Sequence, residues 1–327
     1  MKWMFKLLLL GAALWSGYWF IGAQAQEEAY TSLIESSRAS GWIVESESLG
    51  VQGFPNRFDT SLTGLNFQSP DGDWGWQGES FQIKALSYQP NHVIAVWPGE
   101  HVLRTPGGNA SFTSAQLRAS LVLAAKNNLP LERLQLEGSE IAIVGSPQWT
   151  ANIGSLNTAL FQNETTATRY RLGVALTDIS PPSDLMSLLG SALPELISEL
   201  RLSAQLDFDR AIDRHGFANG TPPKPVTAVI EPSRIVWGPS TLEVEGELRA
   251  AANGFIEGYL SFDVLGWQPL YEFFSKASSM STPNKLTLKR ALDGASNGQN
   301  LVFTVNFSNG EASIGPFTIG PAPTYPF

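Results

Sequence analysis

The side chains best suited to chemistry gather late in the chain. Asp207, Asp209 and Asp213 precede His215, a spacing open to acid–base work or to holding a cation. Their setting argues against both. Leu202-Ser203-Ala204-Gln205-Leu206-Asp207-Phe208-Asp209 alternates apolar and polar residues, so Asp207 and Asp209 share a strand face opposite Leu206 and Phe208. Carboxylates on such a face stay hydrated, and His215 comes after them in a sequence suited to a loop. Asp71-Gly72-Asp73 opens like a calcium loop, but the rest of the ligand series is missing and a polar turn is expected. His92, His101 and His215 are the only histidines, and no two have zinc spacing. No serine is read as sitting in a nucleophile elbow. The chain has no cysteine, which excludes disulfides and thiolate metal sites. No catalytic residue, metal site or cofactor is expected.

The elements that would position these groups are mostly strands. Period-2 alternation marks Ala115–Leu123, Tyr170–Leu176, Leu202–Asp209, Leu242–Leu248, Leu301–Phe307 and Ile314–Ile319. Strands with one apolar face belong to antiparallel sheets that are wet on the other side. Short turns separate them at Ser69–Asp73, Pro106–Asn109, Asn253-Gly254 and Ser308–Gly310. Three helices interrupt the strands. One is expected over Glu27–Arg38, stopping near Gly41, and one over Ser183–Leu200, capped by Ser183 and kinked or divided by Pro194. The third covers Trp267–Met280, with Leu270, Phe273 and Phe274 at helical spacing. The expected fold is mainly β (α+β): a long antiparallel meander of curved sheets, a few covering helices and an amino-terminal membrane helix.

That first helix sets the address. Lys2 and Lys6 precede an uncharged run from Leu7 to Gln26, and Glu27 and Glu28 are the first acids. A basic end before an apolar stretch keeps the terminus cytoplasmic and sends the remainder of the chain across the membrane. The run is about as long as the roughly 20 residues a spanning helix needs. Trp15, Tyr18 and Trp19 sit where an interfacial aromatic belt would lie. A retained anchor is the reading adopted. Cleavage after Ala23-Gln24-Ala25, leaving a soluble periplasmic chain, is the alternative. Residues 1–26 are thus a signal anchor or signal peptide, and 27–327 a β-rich periplasmic region. A linker at Thr221–Pro225 would divide that region into halves 27–220 and 226–327.

Composition narrows the partners. The net charge of −9 comes from scattered acids, with no basic stripe, so nucleic acid is not expected, nor is docking on anionic lipid through a polybasic face. Ten tryptophans and eighteen phenylalanines suit either a closed aromatic core or an apolar groove.

Gly53-Phe54-Pro55-Asn56-Arg57-Phe58-Asp59 reads as a structural corner between strands, with both Phe rings as anchors. Ser87 to Pro98 reads as a strand–turn–strand. In order along the chain come this corner, Trp74-Gly75-Trp76, Ser87 to Pro98, Ile235-Val236-Trp237-Gly238-Pro239, Gly246-Glu247-Leu248, Gly258-Tyr259-Leu260 and Gly315 to Pro321. That order resembles a bacterial envelope family catalogued as domain of unknown function 2125, over nearly the whole chain after the leader. The resemblance implies a fold and an address, without catalytic residues. Its structural positions here are Gly53, Phe54, Pro55, Asn56, Arg57, Phe58, Tyr88, Pro90, Asn91, His92, Trp97, Trp237 and Gly238. A looser similarity runs to AsmA-like inner-membrane proteins, linked to lipid handling, at the level of fold analogy only.

The leading expectation is a non-enzymatic, inner-membrane-anchored periplasmic protein whose apolar concave sheet surface meets lipid or an envelope protein. The alternative is a structural or interaction protein with a closed core and no ligand. A hydrolase using Asp207, Asp209 or His215 comes last.

Overall fold

A computed structural model describes residues 2–146, 149–183, 185–186, 193–218, 222–277 and 282–324. The chain forms two compact units. The first comprises Met1–Leu123 with Leu136–Gln148, and the second Ala124–Gln135 with Trp149–Phe327. Both are built on antiparallel sheet, as the alternation implies.

The first unit opens with α1 (Lys2–Ala39), one continuous helix that takes in both the leader and the expected Glu27–Arg38 segment. It is long and apolar enough to cross a membrane. Gly41, at a φ of +88°, ends it, as a left-handed residue just past a helix does. Next come strands β1 (Ile43–Glu45), β2 (Ser48–Gln52), β3 (Arg57–Gln68), β4 (Gly75–Leu86), β5 (Gln89–Val96), β6 (His101–Thr105), β7 (Gly108–Thr113) and β8 (Gln116–Leu123). β3 lies between β2 and β4, and β1 pairs with its far end. The sheet continues from β4 to β5 and then β8, while β6 and β7 extend it beside the start of β4. Ser87-Tyr88 turns β4 into β5, so Ser87 to Pro98 is a turn and then a single strand. β9 (Leu131–Gly145) gives residues to both units.

In the second unit β10 (Trp149–Gln162), β11 (Arg169–Ser180), β12 (Ile197–Phe208), β13 (Pro225–Trp237), β14 (Ser240–Ala250), β15 (Ile256–Leu265), β16 (Asn300–Ser308), β17 (Glu311–Ile314) and β18 (Phe317–Pro321) pair in chain order. Register shifts between Arg201 and Ser203 and between Ile230 and Ser233 mark bulges, which bend and twist strands. Residues 222–224 run directly into β13.

Two further sequence expectations change. Leu196, Ile197 and Leu200 are expected on a helix, but residues 197–200 open β12, where Leu200, Leu202 and Ala204 continue a period of two. Pro194 cannot continue a helix and separates the two patterns. Residues 183, 185 and 186 are helical; 184 and 187–192 lie outside the described residues. The Ile314–Ile319 run is two strands, turned at Gly315-Pro316. The third expected helix is α3 (Trp267–Ala277), with 278–280 outside the described residues. Two helices are not expected from the sequence: the short α2 (Arg214–Ala218) and α4 (Thr282–Ala295). α3 supplies Trp267 to a core with Val264 and Leu301, and Leu270 and Phe273 pack around the buried Leu193 and Trp237. Tyr271 Oη donates to Lys285 O at 2.6 Å and ties α3 to α4.

Candidate functional site

One helix face joins the apolar leader to the sheet of the first unit. Trp15, Tyr18, Trp19, Gly22, Ala23 and Gln26 recur at steps of three and four, which aligns them in one stripe. Trp15 Nε1 donates to Pro55 O at 2.9 Å, and Tyr18 Oη to Ser87 O at 2.7 Å. Trp19 Nε1 donates to Arg57 O at 2.7 Å, and Gln26 Nε2 to Thr60 Oγ1 at 3.2 Å. Trp19, Ala23 and Phe58 are buried together as a small core, with Val51 against it. A Cβ on Gly22 would stand 2.7 Å from the tip of the Phe58 ring, so only glycine lets the helix approach this closely. The aromatic residues that suit a membrane belt are therefore also the docking face of α1.

The corner that receives them is built for the contact. Gly53, at a φ of +108°, reverses the chain after β2, and Arg57 N donates back to Gly53 O at 2.9 Å. The Phe54–Pro55 peptide is cis. Ser87 N donates to Asn56 O at 2.8 Å, so the corner is braced against the β4–β5 turn. The two Phe rings divide their roles. Phe58 is buried, whereas Phe54 is about half exposed (51%), stacked on Phe20 with its edge to Trp19. Arg57 pairs with Asp59 at 3.1 Å.

Further along α1, Tyr30, Leu33 and Ile34 face Leu62, Leu65, Phe81 and Ile83 across an apolar cleft of about 290 Å³. Its lining is almost wholly apolar.

The acids do not form a centre. Asp207 accepts from Arg169 Nε at 2.7 Å and Nη2 at 3.0 Å, and from Thr227 Oγ1 at 3.1 Å. The Arg169 hydrogen bond holds its carboxyl below the usual range. Asp209 accepts from Lys224 N at 2.8 Å. Asp213 accepts from Asn128 Nδ2 at 3.0 Å and from the amides of His215 and Gly216, capping α2; the Asn128 bond leads in lowering its pKa. Each carboxylate thus has its own structural partners, and no cluster among the described residues has a metal's geometry. Asp71 accepts from Ser69 Oγ and from Asp73 N, which makes its loop an Asx turn. Gly294-Ala295-Ser296-Asn297-Gly298 does spell the elbow pattern, a match missed from the sequence. It lies at the end of α4 rather than between a strand and a helix, and Ser296 Oγ donates to Asp293 O at 2.9 Å.

Of the histidines, His92 Nε2 meets Ser120 Oγ at 2.9 Å on the sheet. His101 is wholly buried, stacked on Phe112 and accepting from Trp76 Nε1 at 3.3 Å. Burial pushes its pKa below the ordinary histidine value.

Residues 19–323 match the family described as an uncharacterized protein conserved in bacteria, DUF2125. The chain belongs to this family. No curated protein and no solved structure matches. The DUF2125 region begins inside α1 and so contains both partners of the helix-docking contact, Trp19 and the Gly53–Phe58 corner. Its other sequence-marked positions divide by place. Tyr88 and Pro90 are exposed at the β4–β5 turn, Asn91 Nδ2 donates to Leu123 O at 2.8 Å, and Trp97 packs on Phe81. Trp237 is buried in the second unit, donating to Pro194 O at 2.7 Å, and Gly238 lies against the Pro194 ring. The structure brings the residues of the first unit's two turns together. The partners it adds, which motif reading missed, are Trp15, Tyr18, Trp19 and Gly22. Their three-and-four spacing was a visible signal, masked because interfacial aromatics give the same pattern.

Proposed function

We propose that this protein is a non-enzymatic structural or interaction protein of the bacterial envelope, held at the inner membrane by α1 with its β-rich region in the periplasm. The observation that carries this reading is the docking of the apolar helix. Trp19 is a core residue of the first unit, so the anchor is part of the fold and sets how that unit stands on the bilayer. The acids that would serve an enzyme are occupied in ion pairs, a helix cap and turns, which leaves them no chemical work. The test replaces residues 1–26 with a cleavable signal that releases the rest into the periplasm. The released protein should unfold more easily and fail to complement a deletion strain. A stable, released and fully complementing protein would overturn the reading.

A second reading, binding of lipid or of an envelope partner through an apolar surface, has two supports. Register aligns Leu160, Leu172, Ala204 and Ile230 across four strands, beside a row of Leu156, Leu176 and Leu200. The cleft beneath α1 is apolar, yet at about 290 Å³ it sits at the bottom of the range for ligand pockets, roughly 300–1,000 Å³. That size ranks lipid below the structural reading. A fluorescent fatty acid that binds the full-length protein, and is lost on Ile83→Asp, would reverse the ranking.

A further inference from the structure

We propose that the two turns beneath α1, Phe54–Arg57 and Ser87–Gln89, lie in the outer interfacial layer of the bilayer, so that the first unit touches lipid directly. The proposal rests on the anchored reading of α1. Its first support is length. Lys2 and Lys6 mark the cytoplasmic end of the span, their long side chains snorkelling to the headgroups, and the first α1 side chain bound to the sheet end is Trp15. Residues 2–14 extend about 20 Å at about 1.5 Å per residue, against a hydrocarbon core of about 30 Å. Spanning that core takes about 20 residues, which carries the apolar phase to about Ile21 at the least, and to about Gln26 when counted from Leu7. Trp15, Tyr18 and Trp19 then lie within its outer part, and so do the turns they bind.

The turns are suited to that depth. Phe54, Tyr88 and Phe20 are 51%, 63% and 62% exposed, three aromatic rings at the same end of the unit. Backbone carbonyls there are already paired: Pro55 O with Trp15, Ser87 O with Tyr18, Arg57 O with Trp19, and Asn56 O with Ser87 N. An irregular backbone can enter the edge of an apolar phase only when such groups have partners. The nearest charges are Arg57, Asp59 and Lys84, with Asp59 and Lys84 opposite each other on β3 and β4. Arg57 closes the first turn and Asp59 and Lys84 stand further back on the strands, at headgroup depth for long side chains that snorkel. Tryptophan and tyrosine favour this layer because one end is apolar and the other can hydrogen-bond.

The absence of cysteine makes the test direct. Full-length Leu9→Cys, Tyr88→Cys, Gln89→Cys and Asn109→Cys proteins are each labelled with an environment-sensitive fluorophore. They are reconstituted in phosphatidylethanolamine–phosphatidylglycerol vesicles containing lipids nitroxide-labelled near the headgroup or deep in the chain. Leu9 reports the anchor. Asn109 lies opposite Arg104, which pairs with Gly75 at the other end of β4, about 35 Å from the turns at about 3.3 Å per residue. Leu9 should be quenched by the deep nitroxide, Tyr88 and Gln89 by the shallow one, and Asn109 by neither. Quenching at Leu9 with Tyr88 and Gln89 as unquenched as Asn109 would overturn the proposal and leave the anchor standing. The bilayer would then have thinned around a short span. No quenching at Leu9 would overturn the anchored reading and the proposal together.

Discussion

Trp19 shows how one side chain joins two environments. Its indole N–H is spent on Arg57 O, and its ring covers Phe58 in a core that α1 and the sheet share. Trp19→Ala removes both, and should cost about 3–5 kcal/mol, the usual range for a buried Trp. Denaturant unfolding of the full chain in detergent measures it; a loss under about 1 kcal/mol would place Trp19 outside the core. The two phenylalanines of the corner should not behave alike. Phe58→Ala should cost about 3 kcal/mol and Phe54→Ala about 1 kcal/mol, since Phe54 keeps half its surface in contact with its surroundings. Equal losses would contradict the assigned burial. His101 supplies a pH dependence with a definite sign. Its folded pKa lies below the ordinary value of about 6.5, so the unfolded chain takes up a proton first. Its contribution to stability is full above about pH 6.5 and falls as pH drops through that value toward the folded pKa. The lowered carboxylates Asp71, Asp207 and Asp213 lose theirs at lower pH, below the usual carboxylate pKa. A His101→Phe protein should therefore lack the decline below about pH 6.5 that is expected of the parent, as read by thermal midpoint. An unchanged decline would remove His101 from the account.

At the scale of elements, α1 is the piece that the rest depends on. Gly22→Leu sets new atoms against Phe58 and should lift the helix off the corner. Hydrogen exchange across β2 and β3 should then accelerate, while exchange in β11 and β12 stays as it was. Unaltered exchange in β2 and β3 would mean that the contact carries no stability. Strands were legible because period-2 alternation survives along Leu202–Asp209 and Leu242–Leu248. Helices were less so. α4 lacks a strong apolar stripe, and its true signal, Thr282 and then Pro283 at the helix start, is a cap and a first-turn proline rather than a periodicity. The Leu196–Leu200 segment fits both periods, and Pro194 together with the pairing of residues 197–200 to β11 and of 199–200 to β13 decides for strand. The surroundings of the acid cluster differ from the solvated strand face that the alternation implies. Asp207 is held by Arg169 and Thr227 rather than merely hydrated, partners on neighbouring strands that a linear pattern does not reveal. Asp207→Asn, Asp209→Asn and His215→Gln together should still complement a deletion strain. Failure of a folded, membrane-bound triple variant would revive the hydrolase.

At the scale of the whole molecule, the sequence announced an apolar leader and a β-rich chain, but not that the leader packs on the sheet of the first unit. The leader's own composition favours a retained anchor yet also carries a cleavage signal, since the aromatic belt and Ala23-Gln24-Ala25 both lie within it. Docking gives the two outcomes different physical consequences. Release after Ala25 would strip Trp15, Tyr18, Trp19 and Ala23 from the first unit, baring Phe58 and leaving the carbonyls of Pro55, Arg57 and Ser87 without these donors. The intact mass of the protein isolated from its native host tests this most directly. The account expects a membrane-bound chain that still contains Trp19; a soluble periplasmic chain beginning at Gln26, folded and functional, would contradict it.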